Sequence, residues 1–516
     1  MIKALPIIAL GLGAFTNAQI AQAEIAFENL SSHLPEHIYA GGWEHFVGGG
    51  LAVFDCNNDE HPDIFAAGGE NPARLMRNLG AFNFEAVDIP RLLGVTGAYP
   101  IDLDADGWLD LFVLRAGGNR ILKGGPDCAF TDASALFGLP QSSAWSTAFT
   151  AWWESNEDRP TLAIGNYVDR DDPDGPFEAC DDNVILRPGT DGYSAEILAP
   201  GFCTLSMLAA KDSRGRDTLR ISNDRHYYVS GGYEQMWDIQ DQRFLGEADG
   251  WRNVSLWGMG IASRDLNADG FDDVMLTSMG DQLLQFAIPG GGYKAAPFSQ
   301  GTYAQRPHIG DEGRASTGWH AEFGDVDNDG RPDLFIAKGN VDQMPGMAMR
   351  DPNTLLRQNA DGTFTEISHH VGVASMDRSR GAALADFDLD GRLDLVVSNR
   401  RAPLELYRNV TERAGQWIAI TLAQTGPNRD AIGSVIWVEA GGTKQSIQHV
   451  IGAGHVGGQM LPRHFGLGAA DTAKVTVNWP DGSQTTTYLE SRNLSQGLAR
   501  LGHWARSSVH LNGPGC

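Results

Sequence analysis

The chain has 516 residues, with 65 acidic against 39 basic side chains, 63 glycines, 24 prolines and five cysteines. Apolar residues make up 42% and aromatics 9%, enough for a sizeable core, which excludes a globally disordered chain. A net charge of −26 without a basic stripe excludes nucleic acid as the partner, and glycine at about 12% against a usual ~7% favours turn-rich β structure over helices.

At the N-terminus, Lys3 precedes an apolar run over residues 4–15 that is too short to span a bilayer. Ala21 and Ala23 follow in a small-residue cleavage pattern. Residues 1–23 therefore read as a signal peptide, and the protein is expected to be exported, to the periplasm or beyond. No later stretch reaches the roughly 18–20 consecutive apolar residues of a transmembrane helix. Export places the cysteines in an oxidising compartment. Cys180 and Cys203 lie in a loop-rich region and are the favoured disulfide pair; Cys56 with Cys128 is a weaker pairing, and Cys516 is left over.

Internal repeats organise most of the remainder. An Asp-x-Asp-x-Asp-Gly-x-x-Asp pattern followed by an apolar run occurs at Asp102, Asp104, Asp106 and Asp110. It returns at Asp265, Asn267, Asp269 and Asp273, at Asp325, Asp327, Asp329 and Asp333, and at Asp386, Asp388, Asp390 and Asp394. A fifth copy, Asp55, Asn57, Asp59 and Asp63, has Glu60 where the others have glycine. Two segments, beginning near residues 153 and 209, keep the strand pattern and lack the carboxylates. The seven starts recur at intervals of about 47 to 61 residues. Most are followed by a turn such as Arg77 and Asn78, or Arg357 to Asn359, and then by an aromatic-rich strand. Each unit reads as four short strands, and seven such units predict an all-β, seven-bladed β-propeller over residues 24–410. The last unit lacks an outer strand of its own. Residues 25–30 resemble the missing strand, so they are expected to close the ring and cover its open edge.

Carboxylates at positions 1, 3, 5 and 9 of a loop converge on one point only if the chain curls tightly, and glycine at position 6 permits that. A hard cation such as calcium takes about six to eight oxygen ligands of this kind. Up to five calcium ions are therefore expected, one at each set of four residues named above. Strands rather than helices flank these loops, and no glutamate stands at position 12, so they are not EF-hands.

This pattern resembles the FG-GAP/VCBS repeats of integrin α-chain propellers and of the cartilage acidic protein family. The resemblance implies calcium in loops joining the first two strands of a blade. From Gly415 the chain alternates apolar and polar residues and reads as a small β-sandwich over 411–490, followed by a tail over 491–516. The segments around Asn428 to Gly433, His464 to Gly468 and Trp479 to Gly482 resemble the ASPIC/UnbV domain, which follows such repeats in that family. Here Gly454 to Gln459 departs from the family's usual segment.

The residues entering each first strand should lie on the face opposite the aspartate loops, near the central channel. Trp145, Trp257, Trp319, His320, Arg378 and Arg380 are the candidate ligand-binding residues there, with the arginines suited to an anion. His369 and His370 are expected on opposite sides of a strand, and His464 is expected to pack inside the sandwich. No catalytic motif stands out. Two classes of function remain: a non-catalytic, calcium-stabilised binding or adhesion module whose ligand is a glycan, protein or small molecule, or an enzyme acting on a glycan or secondary metabolite at the propeller mouth.

Overall fold

The structure, a computed structural model, describes residues 24–224, 231–311, 313–491 and 499–503; residues 1–23, read above as a signal peptide, and Cys516 lie outside them. Seven antiparallel sheets of four strands each follow one another along the chain, one of them gaining a fifth strand from the C-terminal part. Their innermost strands are Leu51–Phe54, Val95–Ile101, Ser146–Trp152, Thr204–Lys211, Gly258–Arg264, Gly318–Gly324 and Ser379–Ala385. Each packs against the next, and the seventh packs against the first, giving a propeller-like ring. The second strands, such as Asp110–Arg115 and Asp394–Asn399, are buried almost throughout. Neighbouring sheets cover both of their faces, which is why they read as continuous apolar runs rather than alternating ones.

Ring closure follows the sequence expectation. Phe27–Asn29 pairs antiparallel with Glu405–Asn409, in the register Phe27↔Asn409, and becomes the outer strand of the last sheet. Adjacent sheets are stitched at the arginine–asparagine turns. Asn78 Nδ2 donates to the Phe387 carbonyl at 2.8 Å, and Asn409 Nδ2 to the Val326 carbonyl at 2.8 Å. Both disulfides also bridge adjacent sheets: Cys180–Cys203, and the less favoured Cys56–Cys128, with Cα–Cα distances of 4.8 and 4.9 Å. His369 and His370 are not on a strand. They sit in the one-turn helix Ser368–Val371, which Gly372 ends in a left-handed cap at φ +91°, and both are exposed.

The C-terminal part is a two-sheet sandwich. One sheet orders Arg463–Gly468, Gln416–Gln424 and Ala499–His503; the other orders Thr443–Gln448, Val435–Ala440, Thr472–Asn478 and Gln484–Glu490. Ile418, Ile436, Val438, Phe465 and Val475 form its core. Ala499–His503 pairs parallel with Gln416–Gln424, so a strand of the sandwich comes from the region read as a tail.

One segment of this sandwich enters the ring. Ile451 bridges Ala151, Gly452 bridges Leu208, Gly454 bridges Ile261 and Gly457 bridges Ala98, while Gln459–Met460 adds a parallel strand to Leu51–Phe54. Residues 451–460 thus form a hairpin lodged in the central channel, paired with the innermost strands of five sheets. Glycine is required on both sides of this contact. A Cβ at Gly50 or Gly97 would stand 1.8 or 1.6 Å from the Val456 carbonyl oxygen.

Candidate metal centres

All five aspartate loops share one backbone course. Position 4 is left-handed in each (Asn58, Ala105, Ala268, Asn328 and Leu389, φ 57–61°), and so is position 6. Glycine fills position 6 in four of them, at φ 85–93°; Glu60 adopts the same conformation at φ 74° without glycine's freedom. The first aspartate holds the curl: its Oδ2 accepts the N–H of position 6 at 2.7–3.0 Å in every loop. The ninth-position aspartate does something the sequence pattern did not reveal. Asp63, Asp110, Asp273, Asp333 and Asp394 each accept the N–H of position 2. Each also accepts an N–H from the third strand of its sheet, at 2.7–2.9 Å. This residue therefore ties the loop to the rest of the sheet.

Three loops gather carboxylates most tightly. One oxygen each from Asp102, Asp104 and Asp110, from Asp325, Asp327 and Asp333, and from Asp386, Asp388 and Asp394 lie within 4.8 Å of one another. In these same three loops a cation from the third strand meets the position 3 carboxylate. Lys123 pairs with Asp104, Arg357 with Asp327, and Arg408 with Asp388 at 2.8 Å. The first and fifth repeats carry Asn57 and Asn267 at position 3 instead. Beyond these pairs, Asp327 Oδ1 and Asp388 Oδ1 are buried without a hydrogen-bond partner. Burial drives the loop carboxyls upward: Asp63, Asp110 and Asp273 to about 7 and Asp386 to about 8, with neighbouring carboxylates adding to the shift. Asp325, Asp333 and Asp394 are raised still more clearly, for the same causes. Clustered, desolvated acceptor oxygens with lone pairs to spare fit a hard divalent cation.

The sandwich sits on these loops, which sequence reasoning missed. Ser446 Oγ donates to Asp265 Oδ2 at 2.9 Å, and Arg429 donates to the Ala105 carbonyl at 3.2 Å. Gly415 N–H reaches the Asp327 carbonyl at 2.9 Å. A ring nitrogen of His464 lies 3.1 Å from the Gly391 carbonyl oxygen, and this ring stacks on Trp417. His464 therefore faces the propeller instead of the sandwich interior.

The opposite face requires a correction. Trp145, Trp319 and Arg380 do lie at the far end of the first strands, but none has accessible surface. The tryptophans pack with Phe46, Tyr167 and Met259, and Trp257 packs against the same cluster. Arg380 stacks over Trp319 at 3.9 Å and donates to the carbonyls of Phe46, Ser379, Asn340 and Val341. Its donors close the ring and leave nothing for an anion. Arg378 is half-buried, 4.0 Å from Asp342. His320 is buried between the His455 N–H, at 3.2 Å, and Glu322, at 3.4 Å, so it holds the channel hairpin. These six residues do not form one open site.

Among the described residues no helix is long and apolar enough to cross a membrane. A family model described as an FG-GAP-like repeat matches residues 55–113, 265–336 and 325–397, and one described as ASPIC and UnbV matches residues 424–494. The chain is similar to cartilage acidic protein 1 of Mus musculus, 27% identical over 184 residues, which are 34% of this chain and 28% of that protein. It is also 28% identical over 180 residues to cartilage acidic protein 1 of Homo sapiens, covering 34% and 26%. The match spans about a quarter of the length of these relatives. Among solved structures, BBS1N in complex with ARL6DN aligns with a TM-score of 0.45 at 9% identity, over 75% of this chain and 96% of that one. Matched at its aspartate loops and across its sandwich, the chain is an FG-GAP-like repeat protein with a C-terminal ASPIC and UnbV domain, similar to the cartilage acidic protein family.

Proposed function

We propose that this protein is an exported binding or adhesion module whose aspartate loops hold calcium, with no catalytic step of its own. The observation that carries the reading is the convergence of three carboxylates within 4.8 Å in each of three loops, with a buried, unpartnered oxygen on Asp327 and on Asp388. Calcium would supply the positive charge that these oxygens lack. The carboxylates at positions 1, 3, 5 and 9 would hold it, the position 1 and 9 side chains being already fixed by backbone donors. The sandwich rests on the same loops, so the metal would also firm the seat of that domain. Two disulfides between neighbouring sheets support an oxidising compartment.

The test is a thermal melt with calcium against a chelator. Calcium should raise the midpoint by several degrees through mass action, and magnesium, which demands stricter octahedral geometry, should replace it poorly. Asp386→Ala should abolish much of the calcium-dependent increment, while Ser155→Ala, in the third repeat's loop that lacks the aspartate pattern, should leave it intact. An identical melt with and without chelator would reduce the loops to hairpin turns.

A further inference from the structure

Between the aspartate-loop face of the ring and the sandwich lies a cavity of about 220 Å3, whose lining extends from Glu60 and Leu389 to Gly454 and Gly457 of the channel hairpin. Two arginines from different parts of the fold line it. Arg264 ends the innermost strand Gly258–Arg264, and Arg463 begins the sandwich strand Arg463–Gly468. Among the described residues neither has a carboxylate oxygen within 4.0 Å. Arg264 is 7% exposed; it donates one hydrogen bond, to Gln445 Oε1 at 3.2 Å, lies over the Phe465 ring, and keeps its Nε without a partner. Arg463 donates to His449 Nδ1 at 2.8 Å and to the Val450 carbonyl at 3.0 Å, both neutral acceptors. Beyond contact range, Asp272, Asp325 and Asp265 favour the Arg264 charge and Arg463 opposes it, while Glu322 favours that of Arg463.

Two of the acids that act on this pair, Glu322 and Asp272, are already engaged. Glu322 accepts from Gln459 Nε2 through both oxygens at 2.8 Å, from the Leu384 N–H at 3.1 Å and from His320. Asp272 accepts from Ser263 at 2.8 Å. A buried guanidinium is ordinarily paired, because desolvating a lone charge costs several kcal/mol. Here docking of the sandwich brings two of them into one cavity with no carboxylate in contact with either, although Glu60, Glu322 and Asp386 also line it. The remaining wall mixes apolar side chains, among them Phe323, Leu384, Leu389 and Leu461, with polar ones such as Glu322, Asp386, Gln448 and Gln459.

We propose that this cavity binds a small amphiphilic carboxylate, its anionic head between Arg264 and Arg463 and its apolar body against Phe323, Leu384 and Leu389. The guanidinium fork suits a carboxylate in geometry as well as charge. The volume exceeds that of an engineered cavity that takes benzene, about 150 Å3. A molecule of about a dozen non-hydrogen atoms is therefore the right scale. This reading routes nothing through a metal, but Asp386 of the last aspartate loop also lines the cavity, so calcium is held constant in its test.

Calorimetry on the full chain, in calcium buffer, should use two carboxylates of different shape, 3-phenylpropionate and octanoate. The uncharged 3-phenylpropan-1-ol and inorganic phosphate serve as comparisons. At least one carboxylate should bind saturably, at one per chain, and at least about tenfold more tightly than the alcohol or phosphate, the scale of one charge-assisted contact. Arg264→Met should weaken that binding at least about tenfold while melting no lower than the unaltered protein without ligand, since it removes a buried charge that has no carboxylate in contact. Arg463→Lys keeps the charge, loses the fork, and should also bind more weakly. Absence of saturable binding by both carboxylates up to about 10 mM, equal affinity for the alcohol, or unimpaired binding by folded Arg264→Met would overturn the proposal.

Discussion

Seating of the sandwich on the aspartate loops can be isolated by two alanine substitutions that share a backbone cost and differ in their surroundings. Gly391 and Gly362 are both left-handed, at φ +85° and +80°. A Cβ at Gly362 meets nothing within 4 Å, whereas one at Gly391 would stand 1.8 Å from Trp417 Nε1. Gly362→Ala should therefore cost only the left-handed strain, about 1 kcal/mol. Gly391→Ala carries the same strain and must also push aside Trp417, which is 8% exposed. Uncovering about 100 Å2 of that side chain at about 25 cal/mol per Å2 adds about 2.5 kcal/mol, for a total of about 3.5. Urea unfolding gives the two free energies, and hydrogen exchange at Gln416–Gln424 locates the damage. Agreement of the two variants within about 0.5 kcal/mol, with exchange at Gln416–Gln424 unchanged, would refute the docking argument.

Two further outcomes follow. Deleting residues 24–31 removes Phe27–Asn29 and the buried Ile25, leaving Glu405–Asn409 as a bare edge; the melting point should fall by several degrees and aggregation on heating should increase, and an unchanged melt would contradict ring closure by this strand. Burial also holds His455 neutral, lowering its pKa from 6.5 to about 3. The unfolded chain takes up this proton below about 6.5 while the folded one does not, so stability is intact above that pH and falls as the pH drops towards 3. Between pH 7 and 5 the loss at this site is about 2 kcal/mol. His455→Gln should lose about that much less over the same interval, and parallel losses in both proteins would show that His455 is not the titrating group.

Features that were legible in the sequence are local and repeated. A loop in which Asp102 holds Gly107 and Asp110 holds Leu103 is complete within nine residues, and its recurrence exposed the ring's period. The closing strand was readable because it imitates its counterparts. What escaped depends on partners far along the chain. Gly452, Gly454, Gly457 and Gly458 look like an ordinary flexible loop; only their approach to Thr150, His320, Leu51 and Tyr99 explains the absence of side chains. Arg380 carries a charge, and charge suggests exposure; four backbone carbonyls and the Trp319 face outweighed that expectation. The third-strand cations left a trace, since Arg357 was visible as part of a repeating turn. Its contact with Asp327, across 30 residues, was not.

The hairpin in the channel also bears on the order of folding. Its hydrogen bonds to the ring join residues 135 to 407 positions apart, and its partners belong to six different sheets. A nascent chain must therefore assemble most of the ring before these contacts can exist, and it does so with an open bore. Once threaded, the hairpin can leave only if the sandwich lifts away, so unfolding has to begin at that interface. Contacts made this late in folding slow unfolding rather than speed assembly. Persistence of the folded state would then rest on a kinetic barrier, with the last hundred or so residues acting as a latch on the preceding four hundred.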